Sequence, residues 1–232
     1  MNRTTTNIIR FFMDECIPPI IRDSKWFMYP FFWYWFKGKN IPFYMDFKKI
    51  VNNLTTEEFE NSYRQLDCKA GDRPTDLNTL CIEHMLKKIP AGNLSFLDVG
   101  CGRGYWLNRL RQEGKTNLTG CDVFENMQLP WANYIKCNIE SLPFEDKSFD
   151  IVSCHHTLEH VRDIEKAVNE LKRITRKQLI IVVPRQRYNY YTLDLHLHFF
   201  WIEQELTRLI NLKRYECRNL TGDWCYIGYI DN

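Results

Sequence analysis

From Leu94 onward, short apolar runs alternate with stretches of helical character. SFLDVG (95–100), NLTGCDVF (117–124), ANYIKCNI (132–139), FDIVSC (149–154) and QLIIVVP (178–184) have the length of buried strands. Between them, YWLNRLRQEG (105–114) and DIEKAVNELKRI (163–174) carry helical patterns. WIEQELTRLI predicts a further helix, and YECRNL and WCYIGYI two closing strands on either side of Thr221-Gly222-Asp223. Strands alternating with helices predict an α/β fold: a doubly wound, parallel sheet with helices on both faces.

The first 90 residues read differently. Helix-like segments alternate there with breaks at Pro18-Pro19, Pro30, Gly38, Pro42 and Gly71. TTEEFENSYRQL (55–66) opens with Thr55 or Thr56 as N-cap and acidic residues in its first turn. TDLNTLCIEHMLKKI (75–89) predicts a helix that packs on the domain C-terminal to it. The pattern divides the chain into 1–90, an aromatic-rich helical segment, and 91–232, the α/β domain. Residues 26–36 read WFMYPFFWYWF, bounded by Lys25 and Lys37. Three readings of that run stay open: core packing, an acceptor wall or oligomer contact, and interfacial docking on a membrane with Lys25, Lys37 and Lys39 at the rim.

Composition narrows the functional classes. Lys and Arg number 31 against 29 Asp and Glu, a formal charge of +2, which gives no broad basic face for nucleic acid. DNA is not an expected partner. No span approaches the roughly 18–20 apolar residues that cross a bilayer, and Arg10 and Asp14 interrupt what a signal peptide needs as an unbroken apolar core. A cytoplasmic location is therefore expected, with contact at the inner membrane face left open. The nine cysteines include no C-x-x-C pair, so they read as reduced thiols. Cys101, Cys121, Cys137 and Cys154 fall near successive strand ends, where small thiols pack well; no metal site is expected.

The first strand ends in LDVGCGRGYW (97–106), with alternating Gly100, Gly102 and Gly104. Absent side chains let the backbone turn sharply and approach a ligand, while the next helix aims its N–H groups into the site. Asp122 closes the second strand in TGCDVF, where ligands of open α/β sheets bind, and its carboxylate suits a vicinal diol.

D-x-G-x-G-x-G here resembles the S-adenosylmethionine loop of class I methyltransferases, and the resemblance runs in order over about 97–200. CNIESLPFEDKSFDIV (137–152) and HHTLEHV (155–161) match later family motifs. The resemblance implies a Rossmann-like sheet of seven strands, mostly parallel with the last antiparallel, and S-adenosylmethionine held by Asp98, Gly100, Cys101, Gly102, Gly104, Asp122, Val123, Asn138, Ile139 and Cys154. Asn138 stands where the family usually has Asp; its amide oxygen still accepts from an exocyclic amine. Arg73 is a candidate for the cofactor's carboxylate.

Histidine is the usual base near neutral pH, and His156 or His155 directly follows the fourth strand. His160 reads as a structural partner. In DLHLHFF (194–200), His196 and His198 fall on one side of a short strand and make a second acceptor candidate, with Arg185 and Arg187 for an anionic group. SCHH does not match the N/D-P-P-Y/F/W of enzymes that methylate amino groups of bases. The overall pattern looks like methyltransferases of bacterial surface-polysaccharide pathways, which implies an O-methyltransferase on a sugar or phosphorylated sugar in capsule or O-antigen biosynthesis. RNA or protein acceptors, and a non-catalytic cofactor-binding partner subunit, are the alternatives; an oligomer is left open.

Overall fold

The computed structural model describes residues 8–9, 11–66, 74–125 and 127–231. The chain forms two compact units: residues 1–76 with 186–199, and residues 77–185 with 200–232.

The larger unit is a seven-stranded sheet in the order β3-β2-β1-β4-β5-β7-β6. Its strands are β1 (Phe96–Val99), β2 (Leu118–Asp122), β3 (Asn133–Lys136), β4 (Phe149–His155), β5 (Thr175–Pro184), β6 (Arg214–Leu220) and β7 (Asp223–Tyr229). β1 to β5 pair in parallel, and β7 enters antiparallel between β5 and β6. Alternation within β1 explains the two layers. Leu97 and Val99 pack with the helix Ile164–Ile174 on one face, and Phe96 packs with the helices Thr79–Lys88 and Tyr105–Gln112 on the other. The helix Thr79–Lys88 begins later than its pattern suggests, because the Asn78 side chain accepts from the Cys81 N–H and caps it there.

Strand order turns at β1: β2 and β3 lie on one side, β4 and β5 on the other. That turn is the switch point where open α/β sheets bind ligands. Register brings the relevant residues level. Val99 pairs with Cys121 and with Cys154, so Gly100, Asp122 and His155 are each the next residue along neighbouring strands.

The smaller unit holds the helices Lys25–Trp35, Ile41–Met45 and Thr56–Arg64 around an aromatic core of Phe32, Phe36, Tyr44, Phe47 and Phe59. Thr55 and Glu58 form a reciprocal capping box on Thr56–Arg64. Residues 186–199 join this unit through polar clamps. Arg22 donates to the Tyr188 carbonyl at 2.9 Å, Asp23 accepts from the Tyr190 N–H at 3.0 Å, and the Tyr63 hydroxyl donates to Leu195 O at 3.1 Å. The strand expected over 194–200 is absent. Leu195 has φ +55°, in the left-handed region, so the alternation breaks and Leu195 and His196 are both buried.

Candidate active site

The glycine loop follows β1 and turns back on β2: Gly100 N–H donates to Cys121 O at 2.8 Å. Gly100 has φ +72°, and a Cβ there would lie 2.1 Å from Thr157 Oγ1, so only glycine fits. At Gly102 (φ +49°) a Cβ would meet nothing within 4 Å, so the loop presents bare backbone to open space. Asp122 braces it. Its Oδ2 accepts from Gly102 N–H at 2.8 Å and its Oδ1 from Val123 N–H at 2.7 Å. Burial raises the Asp122 carboxyl above its usual range, while the backbone N–H groups of Gly102, Val123 and Phe124 oppose the rise.

Asp98 is buried in β1 and accepts from Ser153 Oγ at 2.7 Å. Burial pushes its carboxyl up to about 7, opposed by that hydrogen bond and reinforced by the charge of Asp122. His155 Nδ1 lies 3.4 Å from Asp98 Oδ1, but burial drives the imidazole down to about 3, with His156 adding to the effect. His155 is therefore neutral and brings Asp98 no compensating charge.

His156 sits differently, with φ +49° at the end of β4. Its Nδ1 is 3.4 Å from Glu159 Oε1 and its Nε2 3.5 Å from Asp223 Oδ2. Burial alone would lower its pKa, yet the two carboxylates raise it to about 10. A protonated imidazole facing a carboxylate at each nitrogen has no lone pair to accept a proton. In this arrangement His156 does not suit the role of general base expected from its place in the chain. His155 Nε2 and His156 Nε2 are both buried without a hydrogen-bond partner, and of the two only His156 Nε2 has a carboxylate oxygen near it, Asp223 Oδ2 at 3.5 Å.

The other expected residues are spread over both units. Cys101 and Cys154 are buried in opposite core layers with thiols raised by burial, so they pack as neutral groups. Asn138 Oδ1 accepts from Glu140 N–H at 2.8 Å, closing a local turn just past β3, and Ile139 packs into the core. Arg185 stacks its guanidinium 3.6 Å from the centroid of Trp201. His160 ends the short 3₁₀ turn Leu158–His160. His196 and His198 belong to the smaller unit, where His196 Nδ1 is 2.7 Å from Gln186 Oε1. Arg187, also there, pairs with Glu15 at 3.3 Å. Arg73 lies outside the described residues.

Four residues that matter here carried no individual signal in the chain: Ser153, Thr157, Glu159 and Asp223. Asp223 is fully buried at the start of β7 and also accepts from Asn78 Nδ2 at 2.8 Å. Pairing of β7 next to β5 places it there, and no local pattern announces that.

Comparisons with known proteins bear on the fold. Residues 97–183, from β1 through β5, match a family model for a methyltransferase domain. The seven-stranded sheet is the Rossmann-like methyltransferase fold. It aligns with a structure from Thermotoga maritima, a SAM-dependent methyltransferase and possible histamine N-methyltransferase. That alignment has a TM-score of 0.55 and 18% identity, covering 81% of this chain and 99% of the other. Residues 97–183 are thus similar to a methyltransferase domain, and S-adenosylmethionine is the cofactor that this likeness and the fold imply.

Among particular relatives, the chain is 31% identical over 150 residues to a ubiquinone biosynthesis O-methyltransferase of Rickettsia bellii, covering 57% of this chain and 62% of the relative. It is 34% identical over 96 residues to a malonyl-[acyl-carrier protein] O-methyltransferase of Buchnera aphidicola, covering 39% and 38%. The chain thus spans between 38% and 62% of the length of these curated relatives.

Proposed function

We propose that the chain is an S-adenosylmethionine-dependent O-methyltransferase acting on a small-molecule acceptor. The observation that carries this reading is a pair of carboxylates, Asp98 buried and Asp122 half-buried, beside an open glycine loop. Two carboxyl groups raised by burial, next to a neutral imidazole, suit a ligand that brings positive charge and hydroxyl donors. The residues fit the cofactor on that ground. Asp122 keeps lone pairs for the two ribose hydroxyls beyond the two backbone donors it already serves. Asp98 would suit a cationic group of the cofactor, and the bare backbone at Gly102 would admit close approach.

When bound, S-adenosylmethionine supplies a methyl group already activated by its positive sulfur. The protein's work is then mainly alignment, which is worth several orders of magnitude in rate by itself. His155 is the remaining histidine for the acceptor's proton, since Nδ1 turned toward Asp98 leaves Nε2 to accept. With a pKa of about 3 it is a weak base, so proton transfer contributes less than positioning.

Oxygen as the methylated atom is supported by the names of the Rickettsia and Buchnera relatives and by SCHH at the end of β4. The finer reading, a sugar or phosphorylated sugar of capsule or O-antigen type made on the cytoplasmic side, is supported by the resemblance in the N-terminal segment and the tyrosine-rich 188–200 stretch. Arg185 is the candidate for an anionic group on such an acceptor.

Release of S-adenosylhomocysteine tests both levels, with nucleotide sugars and capsule precursors set against phenols, carrier-bound carboxylates and tRNA. Turnover with a sugar acceptor, and a raised KM in Arg185→Ala for phosphorylated acceptors alone, is the expected result. Turnover only with phenols, carboxylates or tRNA overturns the sugar reading. No turnover with any acceptor, despite tight cofactor binding, favours a non-catalytic subunit.

A further inference from the structure

The helix Lys25–Trp35 is aromatic on two opposite faces. Met28, Phe32 and Trp35 recur at three- and four-residue spacing and are buried in the smaller unit's core. Trp26, Tyr29 and Trp33 recur at the same spacing on the other side, with Tyr34 next to Trp33, and all four are exposed, Trp26 at 73% and Trp33 at 57%. Surface helices ordinarily place charged residues on that face. Here the face is built of rings with polar edges, Trp N–H and Tyr O–H.

The charged residues within 24–45 are all basic, Lys25, Lys37 and Lys39, with Asp23 and Asp46 flanking the stretch. Lys37 and Lys39 are exposed just past the helix, and Lys25 precedes it, 3.4 Å from Asp46. Pro30, also exposed, lacks the N–H that would bond the Trp26 carbonyl within the helix.

We infer that this face docks the protein on an anionic lipid surface, with the helix lying in the headgroup layer. Trp and Tyr concentrate at that layer because their rings bury while their polar edges stay wet. Lysine favours anionic headgroups, whereas protein interfaces are depleted in it. Spanning is excluded by length, since eleven residues rise about 16 Å against a hydrocarbon core of about 30 Å. Among the described residues no helix is long and apolar enough to cross a membrane. Docking does not depend on the methyltransferase reading, because every residue it uses lies in the smaller unit.

Flotation of the full chain with vesicles tests this, using phosphatidylcholine alone and phosphatidylcholine with phosphatidylglycerol at low and high salt. The chain is expected to float with the anionic vesicles, with a blue shift of tryptophan emission. Trp26→Glu/Trp33→Glu, checked for an unchanged urea midpoint, should lower the affinity at least about tenfold. Lys37→Glu/Lys39→Glu should also lower it about tenfold or more, on anionic vesicles only. If the tryptophan variant does not fold, the lysine variant and the emission shift decide. Failure to float with anionic vesicles at low salt overturns the inference, as does binding indifferent to both variants. A dimer lost in the tryptophan variant, without vesicle binding, also overturns it and makes the face a self-association surface.

Discussion

Each unit holds a half-buried basic group, and the two are driven in opposite directions. In the sheet unit, His156 lies between Glu159 and Asp223 and is raised to about 10. In the smaller unit, Lys48 donates to the Asn189 carbonyl, with its ammonium 4.6 Å from the Tyr188 ring centroid and 4.3 Å from that of Phe199. Burial lowers it to about 7 against the pull of Asp23. Both cations are desolvated, so the difference lies in the partners. Carboxylates at 3.4 and 3.5 Å overcome desolvation, whereas ring faces and a carbonyl do not. The sheet unit thus uses a fixed charge as a structural pin, and the smaller unit holds a cation close to losing its proton.

The largest expected effect removes the pin. His156→Ala leaves two buried carboxylates without their cation, and should cost about 3–5 kcal/mol in urea unfolding. A cost under about 1 kcal/mol would mean the cluster is not an ion pair in solution. Adjacent residues of the aromatic helix should then separate cleanly. Phe32→Ala opens the core at a fully buried site and should cost about 3 kcal/mol. Trp33→Ala, on the exposed face, should stay within about 0.5 kcal/mol. Equal losses would break the two-faced description.

Titration sharpens the comparison further. His156 is raised in the folded state from 6.5 to about 10, so its contribution is complete below pH 6.5 and lost as pH rises through about 10. Lys48 is lowered from 10.5 to about 7, so its contribution is complete above pH 10.5 and lost as pH falls through about 7. Their slopes oppose each other between pH 7 and 10. Denaturant midpoints of Lys48→Met should therefore fall more steeply with pH across that window than those of the parent chain, and those of His156→Gln less steeply. The smallest effect is in Lys48→Met itself near neutral pH, within about 1 kcal/mol, because an apolar replacement removes a desolvated cation.

The same contrast explains what could be read from the chain. β1, β2 and β4 lie within a residue or two of their apolar runs because those strands are buried on both faces. β5 begins earlier than its run, at Thr175, because Arg176 and Lys177 are exposed where the strand emerges and pair with Asp150. Gly100, Gly102 and Asp122 were legible because turn chemistry and strand ends are local. The state of His156 was not, because its pKa rests on Asp223, which only sheet pairing brings near. In the helix Lys25–Trp35 an almost uniformly aromatic sequence erases the polar stripe that usually tells inside from outside. The tie of 186–199 to the smaller unit rests on single polar clamps such as Arg22 to Tyr188, which leave no periodic trace.

The central proposal is that Asp122 and the glycine loop hold S-adenosylmethionine, and isothermal titration of that cofactor into the full chain tests it most directly. Saturable one-to-one binding is predicted, weakened at least about tenfold in Asp122→Ala through loss of charge-assisted hydrogen bonds. No binding to the parent chain at millimolar cofactor, or equal affinity in Asp122→Ala, would contradict it.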